Sequence, residues 1–404
     1  MSWQESPLGE LADTQLGKML DAKKNEGEYH SYLGNDNVQW SGVDLSEVKE
    51  MRFKDSELSK FALRPGDLLV CEGGDPGRCA IWNSNEEMYY QKALHRVRAR
   101  EDVLDNRYLY YFLVHIGSTQ EIRQYYTGGA TIKHLPAAAL NRVKVRYPDL
   151  AAQRRIADVL SAYDELIENN RRQIKLLEEA AQRLYKEWFI DLNFPGHDTT
   201  PIHNGLPEGW KRVTILDLAD VVRGCSYSSD EIVRGGRTLI NLGNLAPFGG
   251  FRSGWEKPFS GRPREDQAVS KGDVIMGLTE QAVGLAGYAA LLPTVPGESF
   301  ISADLVKLVP KEGVPAQFIF ALLRYGRLSE LISPLANGTK IKHLRPQSMS
   351  RVNVPVPPTE LMVRYAAVTR PVYDQIDVCQ QQIAAAREAR DRLLPKLMSR
   401  EIEA

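Results

Sequence analysis

The chain has 404 residues, 43% hydrophobic and 25% charged, with a formal net charge of -1. That length exceeds one ordinary core and points to two or three domains. The near-neutral charge argues against a simple basic nucleic-acid binder, so any contact with DNA requires segregated charges or phosphate contacts shared with partners.

Residues 1–147 mix short β-like runs, such as Leu68-Leu69-Val70 and Val143-Lys144-Val145, with Gly, Pro and Asn turns. A helix-like segment lies at Arg107–Ile116. Residues 148–192 then form a long helix whose seam reads Ile156, Leu160, Tyr163, Ile167, Asn170, Ile174, Leu177, Ala181, Leu184 and Trp188. Steps of four and three alternate without a break, the 3.5-residue period of a coiled coil, and Asn170 is the polar position that fixes register. Residues 193–209, rich in Pro, Gly, Thr and Asn, read as a linker. Residues 210–357 repeat the mixture of short strands and turns, and residues 358–404 form a second long helix. Its seam reads Tyr365, Val368, Val372, Ile376, Cys379, Ile383, Ala386, Arg390, Leu393 and Leu397, with an extra step near Pro371 where a kink or delayed start is expected.

The two halves match in order. TGGATIKHL at 127–135 faces ANGTKIKHL at 336–344, sharing Ile-Lys-His-Leu. Arg142-Val143-Lys144-Val145 matches Arg351-Val352-Asn353-Val354, Leu11-Ala12-Asp13 matches Leu218-Ala219-Asp220, and Gly66-Asp67 matches Gly272-Asp273. These pairs lie 206–209 residues apart, so the chain reads as a tandem duplication of a globular domain plus a long helix. Two such units are most simply packed as a pseudo-two-fold body with antiparallel helices. A helix of roughly 33 residues is about 50 Å long, somewhat more than one turn of B-DNA at about 34–36 Å. A rigid spacer with a reader at each end suits a split target site.

Globular domain, helix, globular domain, helix: this order resembles the specificity subunit of type I restriction-modification enzymes. Pro148, Gln153 and Ile156 at the first helix start, Trp188-Phe189 at its end, Leu206-Pro207-Glu208-Gly209-Trp210 and Leu393-Leu394-Pro395-Lys396-Leu397-Met398-Ser399 carry the resemblance along essentially the whole chain. Met362 departs from it, standing where the first repeat has Gln153. The resemblance implies an α+β chain with two mixed α/β target recognition domains joined by two long antiparallel coiled-coil helices. It implies a cytoplasmic, non-catalytic reader of a bipartite double-stranded DNA target, one domain per half-site. Two modification (methyltransferase) subunits would dock on the helices, and restriction/translocase subunits would complete a phage-defence complex. S-adenosylmethionine, ATP and Mg are implied for those partners only, with no cofactor in this chain.

The residues agree with a non-catalytic role. Gly73-Gly74-Asp75-Pro76-Gly77 lacks the spacing and lysine of a phosphate loop, and the seven histidines lack HExxH or HxH spacing. No asparagine-proline-proline-aromatic tetrad of an amino-methyltransferase occurs, and no membrane span or signal-peptide pattern is present. Cys71, Cys79, Cys225 and Cys379 have no CxxC spacing, which speaks against structural zinc and for a reducing compartment.

Duplication also sorts the residues that touch DNA. If the halves read different sequences, identical residues build scaffold or contact phosphate. Lys133, Lys342, His134 and His343, with Gly129 and Gly338 in the preceding turns, are therefore the phosphate candidates, and packing of the histidines on the core is the competing reading. Base reading belongs where the halves diverge: Lys18–Trp40 facing Arg223–Trp255, and Glu72–Gln91 facing Leu278–Ser302. The side chains suited to base edges there are Asn35, Asn37, Arg78, Gln91, Arg223, Asn241, Asn244 and Gln281. Tyr108-Tyr110-Tyr111-Phe112 resembles a base-stacking platform, but its counterpart Phe318-Phe320-Leu322-Leu323 is apolar, so a buried helix face is expected. Arg390 in the seam is expected at an edge covered by a partner helix. A non-DNA-binding interaction scaffold on a coiled-coil ruler is the alternative that the near-neutral charge leaves open; a self-contained nuclease or methyltransferase is disfavoured by the missing motifs.

Overall fold

The structure is a computed structural model and describes residues 3–19, 25–129, 133–233 and 236–402. Ile132 of the repeated tetrapeptide and residues 20–24 of the first divergent stretch lie outside the described residues. The chain divides into two compact units, Met1–Ile167 with Ala384–Ala404, and Glu168–Ile383. Among the described residues no helix is long and apolar enough to cross a membrane.

The units repeat one topology. In the first, four antiparallel strands lie in the order Ala12–Leu16, Leu94–Ala99, Asp67–Cys71, Cys79–Trp82. In the second the order is Ala219–Arg223, Leu305–Pro310, Val274–Gly277, Ala289–Leu291, again antiparallel throughout. Each unit adds a second sheet, three-stranded in the first unit and four-stranded in the second, with one parallel pair: Glu28–Leu33 beside Tyr89–Tyr90 in the first, Arg237–Ile240 beside Ser299–Ile301 in the second. Each also ties an early strand to the one before the long helix, Gln4–Pro7 to Lys144–Tyr147 and Lys211–Val213 to Val354–Val356.

Alternation along the strands places the core. Leu68 and Val70 face one cluster with the helix Asn106–Ser118, while Leu69 and Cys71 face another under the smaller sheet. Tyr108, Tyr111 and Phe112 of that helix are buried, as are Phe318 and Phe320 of Ala316–Arg324, so the aromatic run is core in both repeats. Asp105 caps the first of these helices through Arg107 N and Tyr108 N.

The long helices are Leu150–Tyr185 and Thr359–Met398. Asp149 caps the first through Ala152 N at 2.9 Å. Of the expected seam, Ile156, Leu160, Ile167 and Asn170 are buried, and Tyr163, Ile174, Leu177, Leu184, Val372, Ile376, Ile383 and Leu393 are half-buried. Within each unit the two helix segments run antiparallel. In the first, Ile156 and Leu160 share a core with Leu394 and Leu397. In the second, Cys379 Sγ lies 3.2 Å from Gln173 Oε1, and Tyr185, Trp188 and Phe189 surround Tyr365 with ring centroids 5.1–6.0 Å apart. Burying each of those rings contributes on the order of 2–3 kcal/mol.

One expectation needs correction here. The second helix runs through Pro371 without a break. The extra step disappears because buried Thr369, not half-exposed Val368, occupies the seam; its hydroxyl donates to Tyr365 O at 3.0 Å. Burial of Tyr365 and Thr369 in the turns before Pro371, and of Cys379 beyond it, holds the helix where local propensity would break it. Arg390 is covered by the other long helix, as expected: within the first unit its guanidinium pairs with Asp164 at 2.5 Å. The Gln153/Met362 departure also has a physical cause. Buried Gln153 accepts from Asp105 N and donates to Val103 O and Pro148 O, each at 2.9 Å, whereas Met362 fills apolar core.

Candidate nucleic-acid interface

The shared tetrapeptide is held at the exit of a central strand in both units. In the first, the strand Asp67–Cys71 delivers Glu72, whose carbonyl accepts Leu135 N at 2.7 Å. In the second, Val274–Gly277 delivers Leu278, whose carbonyl accepts Leu344 N at 2.7 Å. Both leucines are buried, which anchors the segment and turns the neighbouring lysines outward. Lys133 and Lys342 are exposed, as are Gly129 and Gly338. Exposed ammonium groups beside glycine-containing turns can take phosphate oxygens without reading a base.

The histidines differ. His134 is half-buried with Nδ1 3.1 Å from Glu72 Oε2. His343 is exposed, with Nδ1 3.3 Å from Thr279 Oγ1, and that hydroxyl donates to Asp304 at 2.6 Å. Behind the first tetrapeptide, fully buried His95 places Nε2 2.8 Å from Leu135 O. Burial lowers its pKa below the usual imidazole value, outweighing the bond to Leu135 O and the charge of Glu72. The ring is therefore neutral and donates from Nε2.

Asn37 and Asn244 are scaffold, which corrects their expected role as base readers. Asn37 Oδ1 accepts Gly34 N at 2.9 Å, and its amide donates to Asp44 O and Glu47 O. Asn244 repeats this, accepting Asn241 N at 3.0 Å and donating to Arg252 O. Both are buried, so their hydrogen-bonding capacity is committed inside the fold. The phrase Leu-Gly-Asn occurs at 33–35 and 242–244 and aligns Asn35 with Asn244; the backbone instead equates Asn37 with Asn244. Asn241 is likewise buried, accepting Gly243 N and donating to Trp255 O at 2.6 Å.

The other candidates reach the surface. In the first unit Arg78 donates to Asn35 O at 2.9 Å, bringing the loop after Asp67–Cys71 against the turn Asn35–Asn37. Asn35, Arg78 and Gln91 are half-buried. In the second unit Arg223 and Gln281 are exposed. Arg223, His343 and Arg345 line one groove of about 590 Å³, and Gln281 follows the short strand Thr279–Glu280 that pairs with Lys342–His343. Arg345 and Glu280 escaped the sequence reading: neither belongs to an identical pair, and their placement depends on backbone folding that no local spacing reports.

Comparison with known proteins agrees with this arrangement. The family described as "Type I restriction modification DNA specificity domain" matches residues 1–179. The type I restriction enzyme MjaIX specificity subunit of Methanocaldococcus jannaschii is 26% identical, over 99% of this chain and 93% of the relative. The MjaVIII specificity subunit of the same organism is 22% identical over the same shares. The crystal structure of a type I restriction-modification S subunit from M. genitalium has the same fold, with a TM-score of 0.62 at 18% identity over 98% of this chain and 96% of that one. Over nearly its whole length, and in its duplicated architecture, the chain is similar to specificity subunits of type I restriction-modification enzymes.

Proposed function

We propose that this chain is the sequence-specific DNA reader of a type I restriction-modification complex and carries no catalytic step itself. Each globular domain, residues 1–147 and 210–357, reads one half of a bipartite duplex target, and the helices at 148–192 and 358–404 set the spacing and dock two modification subunits. S-adenosylmethionine belongs to those subunits, and ATP with Mg to restriction subunits that join them in the cytoplasm. Lys133 and Lys342, with the Gly129 and Gly338 turns and the flanking His134 and His343, contact phosphate. Asn35, Arg78 and Gln91 face bases in one half-site, Arg223 and Gln281 in the other. The observation that carries the reading is the pairing of one repeated scaffold, down to the same leucine-to-carbonyl bond, with unlike surface loops. Identical parts fit the uniform backbone of a duplex, and divergent parts fit its sequence. The low net charge is compatible because phosphate contacts are shared with partners. The specificity-subunit relatives disfavour a scaffold that binds no DNA. The test is a gel-shift titration of the chain with its modification subunits against random and methylome-derived duplexes. Tighter, salt-dependent binding to one bipartite motif is expected; an assembled complex indifferent to DNA would refute the reading.

A further inference from the structure

In the second unit, the loop after Thr279–Glu280 is fixed at both ends and exposed at its tip. Thr279 is buried and bonded to Asp304. On the other side Leu285 and Ala286 are buried in the core. Between them the Glu280 carboxylate folds back over the turn, Oε1 accepting Gly284 N at 2.9 Å and Oε2 accepting Leu285 N at 3.2 Å and Ala286 N. Three backbone donors on one carboxylate define the loop as firmly as a short helix cap does. Gly284 closes the turn at φ +87°, where a Cβ would lie 2.9 Å from Phe248, and its carbonyl accepts Phe248 N at 2.8 Å. Phe248 itself holds a left-handed backbone at φ +63°. Strain of this kind persists where the surroundings over-determine the backbone.

What this rigid frame presents is Gln281-Ala282-Val283. Gln281 is exposed, and Val283 is 77% exposed, the most open of the large hydrophobic residues described. An amide beside a small apolar pair is the chemistry that reads adenine N6/N7 and a thymine methyl group in the major groove. Glu280 is also the ladder partner of Lys342, so the tip starts one strand away from a phosphate-contact candidate. The corresponding loop of the first unit is built otherwise. Gly77 N donates to Cys71 O, Tyr126 OH to Pro76 O, and the exposed tip is Gly74-Asp75. We infer that Gln281 and Val283 form a preorganised base-reading tip selective for an A·T-containing step in one half-site, with Glu280 as its positioning residue. This inference rests on the DNA-reading function proposed above.

The experiment is methylome sequencing of cells carrying the full complex with Gln281→Ala, Val283→Ser, Glu280→Ala or Glu280→Gln in this chain. Gln281→Ala and Val283→Ser are expected to lower preference on the order of 10-fold at one or two adjacent positions of a single half-site, leaving the other half-site and the spacing unchanged. Glu280→Ala should relax the same positions, and Glu280→Gln, which keeps one acceptor oxygen, should fall between it and the wild type. An unchanged motif in the Gln281 and Val283 variants, or changes in both half-sites, would overturn the inference. A wild-type complex that methylates no bipartite motif would instead refute the DNA-reading function on which it rests.

Discussion

Asp164 joins three elements of the first unit: its Oδ1 pairs with Arg390 of the second long helix at 2.5 Å, and its Oδ2 accepts Tyr111 OH at 2.6 Å. Burial, then Asp164, pushes the Tyr111 pKa far above the phenolic range, so the hydroxyl stays a donor at any physiological pH. Arg390→Met leaves a half-buried carboxylate with only the phenol. The pair is partly solvated, so a loss of about 1–2 kcal/mol is expected. It should appear in calorimetry as a fall of several degrees in the first unit's transition.

Asn37→Ala and Asn244→Ala should each cost about 1–3 kcal/mol, the penalty for leaving buried backbone groups unpaired. Thermal unfolding would show the loss in one unit at a time. The methylated motif, sequenced from cells carrying either variant, should be unchanged. A shifted motif at normal stability would restore these asparagines as readers.

Those asparagines mark how far the sequence reaches. The duplication, both long helices and the buried aromatic helix were legible, because periodicity and repeated order report packing directly. The function of individual loop residues was not. The polar character of Asn37 says nothing about which way its amide turns. Val368 was a better seam residue than Thr369 on hydropathy alone, yet the helix rotates Thr369 inward.

His95 should make the first unit acid-sensitive. Its Nδ1 is buried without a hydrogen-bond partner, so protonation would bury an unpaired N–H and a charge. The folded pKa lies below the 6.5 of the unfolded side chain, so the unfolded chain takes the proton first. The contribution is full above about pH 6.5 and is lost as pH falls below it. Glu72 opposes the shift weakly, and buried His115 shifts the same way. Melting between about pH 7 and pH 5 should lower the first unit's transition. His95→Val should reduce that slope, with His115 supplying the remainder.

Lys133→Ala and Lys342→Ala should weaken binding of the assembled complex to every duplex. Each should lower the slope of log affinity against log salt by about 1. Equilibrium titration over a range of salt, on specific and random DNA, checks both. A variant that loses affinity for one sequence only would place that lysine at a base edge.

The most direct test of two independent readers is an exchange of residues 210–357 for those of a related specificity subunit, followed by sequencing of the methylated motif in cells carrying the assembled complex. Independent readers predict a new half-site joined to the original one at the original spacing. A motif altered in both halves, or a continuous one, would contradict them.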